Sequence, residues 1–124
     1  MIIGAHVLLY SKDPDADRAF FSDILQLRSV DAGGGWLIFA LPPAEAAFHP
    51  AEADAGENKS LQAGFYLMCD DLPATIKSLD AKNIKCTEVT KERWGILTTI
   101  KLPSGGEIGL YQPKHPIAFA SGSV

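Results

Sequence analysis

The fold is decided by nine residues near the start of the chain, HVLLYSKDP at residues 6–14. Their first part lies in an apolar run from Ile2 to Tyr10 that is rich in strand formers and predicts a β-strand. The run stops where Asp13 can cap a helix with its carboxylate and Pro14 suits the first helical position. Apolar residues then recur at helical spacing and predict a helix with one buried stripe, ending near Gln26. These residues are Ala16, Phe20, Ile24 and Leu27.

Three short strands are predicted to follow this helix. They cover Arg28 to Asp31, Trp36 to Leu41 and Glu45 to His49. Three glycines at residues 33–35 predict the turn between the first two strands. The next stretch, residues 51–60, is polar and rich in alanine, and we interpret it as a linker or mobile loop.

The second half of the chain repeats this order. It begins with a strand from Leu61 to Cys69 and an acidic helix cap at residues 70–71. An amphipathic helix follows, and Asn83 is a plausible left-handed stop for it. Three more strands are predicted at Lys85–Thr90, Gly95–Leu102 and Glu107–Gln112. Residues 115–124 form a C-terminal tail, either a loose end or an arm that binds a partner.

Each half therefore reads strand, helix and three strands, with Asp13 matching Asp70 or Asp71. Such an internal repeat predicts the duplication of one βαβββ module. The alternative is an ordinary α+β domain built from two independent layers. We predict a single domain over residues 1–124, with module 1 at about 2–50 and module 2 at about 61–114.

The composition excludes several classes of protein. The chain has 124 residues, of which 47% are hydrophobic and 21% charged, as expected of one globular domain rather than a disordered chain or a coiled coil. A net charge of -4 argues against a nucleic-acid partner. The longest apolar run, Gly35 to Pro43, is too short to span a membrane, and residues 1–4 show no export signal. Cys69 and Cys86 form no metal-ligand set, so reduced thiols in the cytoplasm are expected.

Four motifs occur in a characteristic order. The first is the histidine strand at residues 6–14, and the second is the pair Phe20-Phe21 with Leu25-Gln26-Leu27. The third is the pair Trp94-Gly95 with the turn Leu102-Pro103-Ser104-Gly105-Gly106, and the fourth is the end of the last strand, Tyr111-Gln112-Pro113. Each is weak alone, but together they resemble the vicinal oxygen chelate superfamily, which includes glyoxalase I, bleomycin resistance proteins and extradiol dioxygenases. The resemblance covers residues 2–114. It implies an α+β fold of two tandem βαβββ modules whose eight strands form a half-open, barrel-like sheet with the helices outside.

In chelating members of this superfamily, a divalent metal is held by His, Glu or Gln from the first and last strands of each module. The metal binds two neighbouring oxygens of the substrate. The resemblance places His6 at the first ligand position, where a metal ligand, a hydrogen bond to a bound molecule and an ordinary packing role all stay open. The matching residues 63–64 are an alanine and a glycine, and the carboxylate position of the last strand is Gly109. Glu45 and Glu107 are left as candidates for vestigial metal ligands. The alternative is that each is a solvated residue at the end of a strand.

Aromatic side chains indicate a binding pocket instead. Tyr10, Tyr66, Trp94 and Tyr111 lie on or near predicted strands, and a cavity lined by aromatic rings with a few polar groups is typical of a small-molecule site. Trp36 is expected to pack in the core.

The remaining candidates for chemistry are weaker. His49 and His115 lie beside prolines and are expected at the surface. Cys69 follows a strand and precedes two acids, which raise the pKa of a thiol, and Cys86 lies on a predicted strand, so neither is a convincing nucleophile.

We therefore predict a small-molecule-binding protein of the glyoxalase/bleomycin resistance type with a degenerate metal site. Its predicted binding residues are His6, Tyr10, Tyr66, Trp94, Glu107 and Tyr111, and no catalytic residue is assigned. The expected ligand is a small apolar or aromatic molecule and the expected assembly is a homodimer. No cofactor is expected, although the sequence leaves open whether a divalent metal binds. The alternatives are a metal-dependent lyase or dioxygenase using His6, Glu45 and Glu107 on a vicinal-oxygen substrate, and a structural module that dimerises through its sheet edge.

Overall fold

The computed structural model describes residues 1, 4–48, 50 and 63–119. The predicted linker at 51–60, His49 and the end of the tail at 120–124 lie outside the described residues. The chain divides into two compact units. Unit 1 consists of Met1–Ala40 and Lys101–Glu107, and unit 2 consists of Leu41–Ile100 and Ile108–Val124. Within the described ranges, no helix is long and apolar enough to cross a membrane.

Unit 1 begins with helix α1, which spans Pro14–Asp23. The predicted cap is confirmed, because the Asp13 carboxylate accepts a hydrogen bond from the Ala16 N–H at 3.3 Å. The positive φ of 57° at Gln26 turns the chain away after the helix, close to the predicted end. Phe20 and Phe21 are the buried residues of this helix.

Strands β1 (Ser29–Asp31) and β2 (Leu37–Phe39) of unit 1 pair antiparallel. The predicted glycine turn joins them, and the Asp31 carboxylate accepts hydrogen bonds from two of its N–H groups, at 2.7 and 3.2 Å. The rings of Phe21 and Phe39 meet edge to face, 5.5 Å apart, so α1 packs on this hairpin.

The prediction that Trp36 packs in the core is wrong. Its side chain is 61% exposed, and the Arg18 guanidinium lies 4.8 Å from the ring centroid. Because Trp36 belongs to the glycine turn rather than to the middle of β2, its ring projects beyond the hairpin and contacts a cation instead.

Asp17 on α1 holds the turn at residues 102–106 within unit 1. Its carboxylate accepts hydrogen bonds from the Ser11 hydroxyl at 2.6 Å, and from the Ser104 N–H at 3.0 Å and hydroxyl at 2.7 Å. Burial raises the pKa of Asp17, but these hydrogen bonds outweigh it and lower the pKa below its ordinary value. The charged carboxylate is therefore part of the folded structure.

Unit 2 contains a four-stranded sheet in the order β3-β6-β5-β4. The strands are β3 (Tyr66–Met68), β4 (Thr90–Glu92), β5 (Gly95–Lys101) and β6 (Glu107–Pro113), of which β5 and β6 run into the turn of unit 1. β3 runs parallel to β6, and β4 runs antiparallel to β5. The first strand of this half thus lies beside its last strand, and the predicted strand, helix and three-strand order is confirmed here.

Helix α2 spans Leu72–Ala81 and connects β3 to β4. The Asp71 carboxylate caps it by accepting the Ala74 N–H at 3.1 Å, and the Gln112 side chain accepts the Leu72 N–H at 2.7 Å. Asn83 adopts the predicted left-handed conformation, with φ 63°. The buried side chains in the described part of unit 2 lie on this helix and on β5 and β6, and they are Leu72, Leu79, Thr98, Ile100, Ile108 and Leu110.

Eight strands were expected, and the described residues form six. Residues 4–10 carry no strand, nor do the described positions of the predicted strand at 45–49. The predicted strand at Lys85–Thr90 is reduced to an isolated bridge between Cys86 and Ile100, followed by β4. An apolar, β-branched run favours a strand only where a neighbouring backbone pairs with it, and the sequence does not contain that information. Over the residues that the structure describes, the architecture is a mixed α+β fold with two helices and two sheets.

Candidate functional site

Three of the predicted binding residues form one aromatic cluster in unit 2: Tyr66, Trp94 and Tyr111. Tyr111 on β6 lies at the centre. Its ring centroid is 6.0 Å from that of Tyr66 on β3 and 5.6 Å from that of Trp94, the residue before β5. Both ring planes are steeply inclined to that of Tyr111, at 82° and 76°. Tyr66 and Trp94 remain 48% and 42% exposed, so this cluster presents aromatic surface to solvent.

Two glycines make room for the cluster. Tyr66 is the register partner of Gly109 across the parallel β3–β6 pair, and its ring lies against the Gly109 backbone. A Cβ atom at Gly109 would lie 2.9 Å from Cγ of Tyr66 and closer still to two other ring atoms. At Gly95 a Cβ atom would lie 2.5 Å from the Gln112 carbonyl oxygen and 3.2 Å from the Tyr111 ring. The tyrosine positions therefore depend on the absence of side chains at 95 and 109.

The cluster has a polar end where three side chains meet. The Tyr111 hydroxyl hydrogen-bonds to Nε2 of His115, and the two rings are 5.9 Å apart. The Glu45 carboxylate lies 3.6 Å from the same Nε2 and accepts the Ala118 N–H at 3.0 Å. The backbone N–H of Lys114 donates to the Trp94 carbonyl at 2.8 Å. The segment after β6 is thus fixed against the cluster at several points.

The protonation of this end follows from its partners. Nδ1 of His115 lies 2.8 Å from the Pro116 carbonyl oxygen, which only accepts, so Nδ1 carries the proton. In the neutral imidazole Nε2 is then an acceptor, and the Tyr111 hydroxyl donates to it. Burial, and then the negative charge of Glu45, raise the pKa of Tyr111, which keeps its hydroxyl protonated as this bond requires. This arrangement does not support a role for Tyr111 as an easily ionised nucleophile.

The other predicted binding residues belong to unit 1. His6 and Tyr10 are exposed residues of unit 1, and Tyr10 is 93% exposed. Glu107 is an exposed residue of unit 1 at the start of β6. Glu45, considered only as a metal ligand, instead accepts a hydrogen bond from the Ala118 N–H and lies near His115.

His115 was missed, since its position beside Pro116 suggested a surface loop. Its side chain is partly buried and contacts Tyr111 and Glu45. The only signal was its spacing four residues after the predicted site residue Tyr111. That spacing has no special meaning outside a helix.

The second-half positions where the resemblance implies metal ligands carry no ligand side chain. The matching second-half positions are residues 63–64 and Gly109, and the Tyr66 ring fills the space beside Gly109. Over the ranges that the structure describes, no three His, Cys, Asp or Glu side chains form a group suited to a metal ion. A catalytic zinc needs three such ligands and an open position.

The surroundings of both cysteines disfavour the thiolate form. Both are free thiols. Burial is the largest effect on each thiol and raises its pKa. For Cys69, a hydrogen bond with Thr75 lowers the pKa and the charge of Asp70 raises it. For Cys86, the charge of Asp80 raises the pKa further.

Unit 2 also has an open apolar groove, lined by residues other than those of the cluster, with a volume of about 270 Å³. Its lining residues are Leu72, Pro73, Ile76, Val89 and Ile96. No polar side chain lines it, so it offers nothing to orient a ligand. We therefore take the aromatic cluster as the candidate site.

Comparison of the sequence with protein-family models and with curated proteins finds no match. Among solved structures, the chain is similar to a lactoylglutathione lyase from Agrobacterium tumefaciens, with 20% identity, a TM-score of 0.63, and coverage of 89% of this chain and 92% of that one. It is also similar to TnmS3, an antibiotic binding protein from Streptomyces sp. CB03234, with 22% identity, a TM-score of 0.61, and coverage of 92% and 100%. A glyoxalase/bleomycin resistance protein from the same Streptomyces has 21% identity, a TM-score of 0.56, and coverage of 84% and 95%.

Identities at this level establish the fold alone. The fold is that of glyoxalase and bleomycin-resistance-type proteins, which agrees with the fold that the sequence resemblance implies.

Proposed function

We propose that this protein binds a small aromatic or apolar molecule on the cluster of Tyr66, Trp94 and Tyr111. The observation that carries the proposal is the steep arrangement of three rings, two of them about half exposed, next to a single polar end. Exposed aromatic faces offer a large contact area to a ligand ring, and a few polar groups fix its orientation. The similarity to a protein described as antibiotic binding supports a sequestering role.

We further propose that the metal site is degenerate and that binding needs no cofactor. The support is the packing of Tyr66 on Gly109, which places an aromatic ring where the resemblance implies a ligand side chain. The alternative, a metal-dependent lyase or dioxygenase, requires a stoichiometric divalent ion that His6→Ala removes. Metal analysis of the purified protein distinguishes the two, and such an ion would reject the binding-protein proposal.

The ligand is to be sought by a thermal-shift screen of aromatic metabolites and antibiotics, since a ligand that binds only the folded state raises the melting temperature. Tyr66→Ala and Trp94→Ala are expected to abolish the shift given by a hit. Trp36→Ala is the matched control, because Trp36 is equally an exposed tryptophan but lies in the hairpin turn of unit 1. If a ligand still raises the melting temperature of both cluster variants, the assignment of the site is wrong.

We also propose a cytoplasmic homodimer. Four consecutive large apolar side chains, residues 7–10, are exposed. A contiguous apolar surface of this kind is typical of an interface between proteins.

A further inference from the structure

The hydrogen-bond donors at the polar end of the cluster are all in use. With the imidazole neutral, the hydroxyl proton of Tyr111 is donated to Nε2 of His115, and the Nδ1 proton of His115 is donated to the Pro116 carbonyl. Glu45 has no donor when ionised, and one of its oxygens already accepts the Ala118 N–H. No donor is therefore left on these three side chains for a ligand.

Only acceptors remain there. The phenolic oxygen of Tyr111 keeps lone-pair capacity, and so does the second oxygen of Glu45, which lies 3.6 Å from Nε2 of His115. A ligand group that approaches this end must bring N–H or O–H donors of its own. A carboxylate or phosphate would meet lone pairs and a negative charge.

The aromatic faces favour the same kind of group. The face of an aromatic ring carries partial negative charge, so Trp94 and Tyr66 attract cations above their rings. The chain itself already forms such a contact, where the Arg18 guanidinium lies over Trp36 in unit 1.

The lysine and arginine next to the cluster in sequence do not pair with Glu45, whose ionisable neighbour is His115 at 3.6 Å. Arg93 and Lys114 are the basic residues adjacent to the cluster in sequence. Both are exposed, and neither forms an ion pair with Glu45. The carboxylate is only 19% exposed, so water screens its charge less than at an open surface.

We propose that the ligand is an organic cation, a protonated amine attached to an aromatic or apolar body. The body lies on Tyr66 and Trp94, and the ammonium donates to the Tyr111 oxygen and to Glu45. This inference rests on the proposed function, because it names the ligand class of the same site.

The test uses three probes that share one ring: 2-phenylethylamine, which is protonated at neutral pH, 2-phenylethanol, which is neutral, and phenylacetate, which is an anion. Binding is measured by titration of the protein while chemical shifts are followed by NMR. The amine is expected to bind about tenfold more tightly than the alcohol, and phenylacetate least tightly. Equal affinities for amine and alcohol, both lost in Tyr66→Ala, would reject the cation and keep the binding site. Binding of all three that is unchanged in Tyr66→Ala would reject the site as well.

A charge-removing variant isolates the contribution of Glu45. Glu45→Gln retains an oxygen for the Ala118 N–H and removes the negative charge, so the preference for the amine over the alcohol is expected to fall to less than threefold. Glu88→Gln removes the same charge from an exposed position of unit 2 and is expected to leave the preference intact. Unchanged alcohol affinity in Glu45→Gln shows that the site is still folded. A full amine preference in that variant would overturn the inference.

Discussion

The ring of Tyr66 lies directly against the backbone of Gly109, its register partner on the adjacent parallel strand. Glycine is the only residue that leaves room for this ring, since any Cβ atom at 109 would overlap it. The contact has two consequences. It holds an aromatic face in place beside Tyr111, and it fills the space that a side chain at 109 would need.

The first prediction concerns this contact. Gly109→Ala is expected to displace the Tyr66 ring or strain the sheet, and to lower the free energy of unfolding by about 1–3 kcal/mol. In the double variant Tyr66→Ala/Gly109→Ala the alanine at 109 no longer meets a ring, so the cost of that alanine is expected to shrink. Urea denaturation of the four proteins of this double-mutant cycle gives the coupling energy.

The matched control is Gly106→Ala. A Cβ atom there meets only the Ser104 hydroxyl oxygen, at 3.5 Å, which is ordinary contact. Its effect on unfolding is expected to be small. If alanine at 109 and alanine at 106 cost the same, or if the cycle shows no coupling, then the ring does not lie where the structure has it.

The second prediction concerns pH. Because hydrogen bonds from Ser11 and Ser104 lower the pKa of Asp17 in the folded protein, its carboxylate stabilises the fold above the ordinary pKa of aspartate, about 4. That stability is lost as the pH falls through the lowered value. Asp17→Asn is therefore expected to cost about 1–3 kcal/mol at pH 7 and much less near pH 3.

Chemical denaturation at a series of pH values measures this difference. Asp15→Asn serves as the control, since Asp15 is exposed on the same helix and pairs only with Arg18. A stability gap between the protein and Asp17→Asn that stays constant down to pH 3 would mean that the charged form has no special role.

The third prediction concerns the thiols. Burial raises the pKa of both Cys69 and Cys86, so at pH 7.5 each carries less thiolate than an ordinary cysteine. Both are expected to react with a disulfide reagent far more slowly in the native protein than in guanidinium chloride. A native thiol that reacts as fast as the unfolded chain would contradict the burial seen in unit 2.

The fourth prediction concerns assembly. Light scattering after size-exclusion chromatography is expected to give the mass of a dimer. Leu8→Ser is expected to shift the protein towards the monomer, because it places a hydroxyl in the exposed apolar stretch at residues 7–10. If the unaltered protein is a monomer at high concentration, the prediction of a homodimer is wrong.

The helices could be predicted from sequence because their signals are local. Asp13 with Pro14 and Asp71 with Pro73 specify where each helix begins, and Gln26 and Asn83 mark where the chain leaves it. These effects act within one turn of the helix and need no information from the rest of the chain.

The strands and the polar end of the site could be predicted only in part. The alternation at Glu107–Pro113 matches β6, whereas the equally apolar residues 4–10 form no strand, since pairing depends on a distant backbone. Tyr111 was identified from its strand position. Its partners His115 and Glu45 were not recognised as such, because Glu45 meets His115 across 70 residues of sequence and no local pattern indicates that contact.

The most direct test of the central claim, that the cluster of Tyr66, Trp94 and Tyr111 binds the ligand, is a crystal structure with a hit from the thermal-shift screen. The account predicts density for the ligand ring against Tyr66 and Trp94, with its polar group beside Tyr111 and Glu45. Density seated instead in the apolar groove lined by Leu72, Val89 and Ile96 would contradict it.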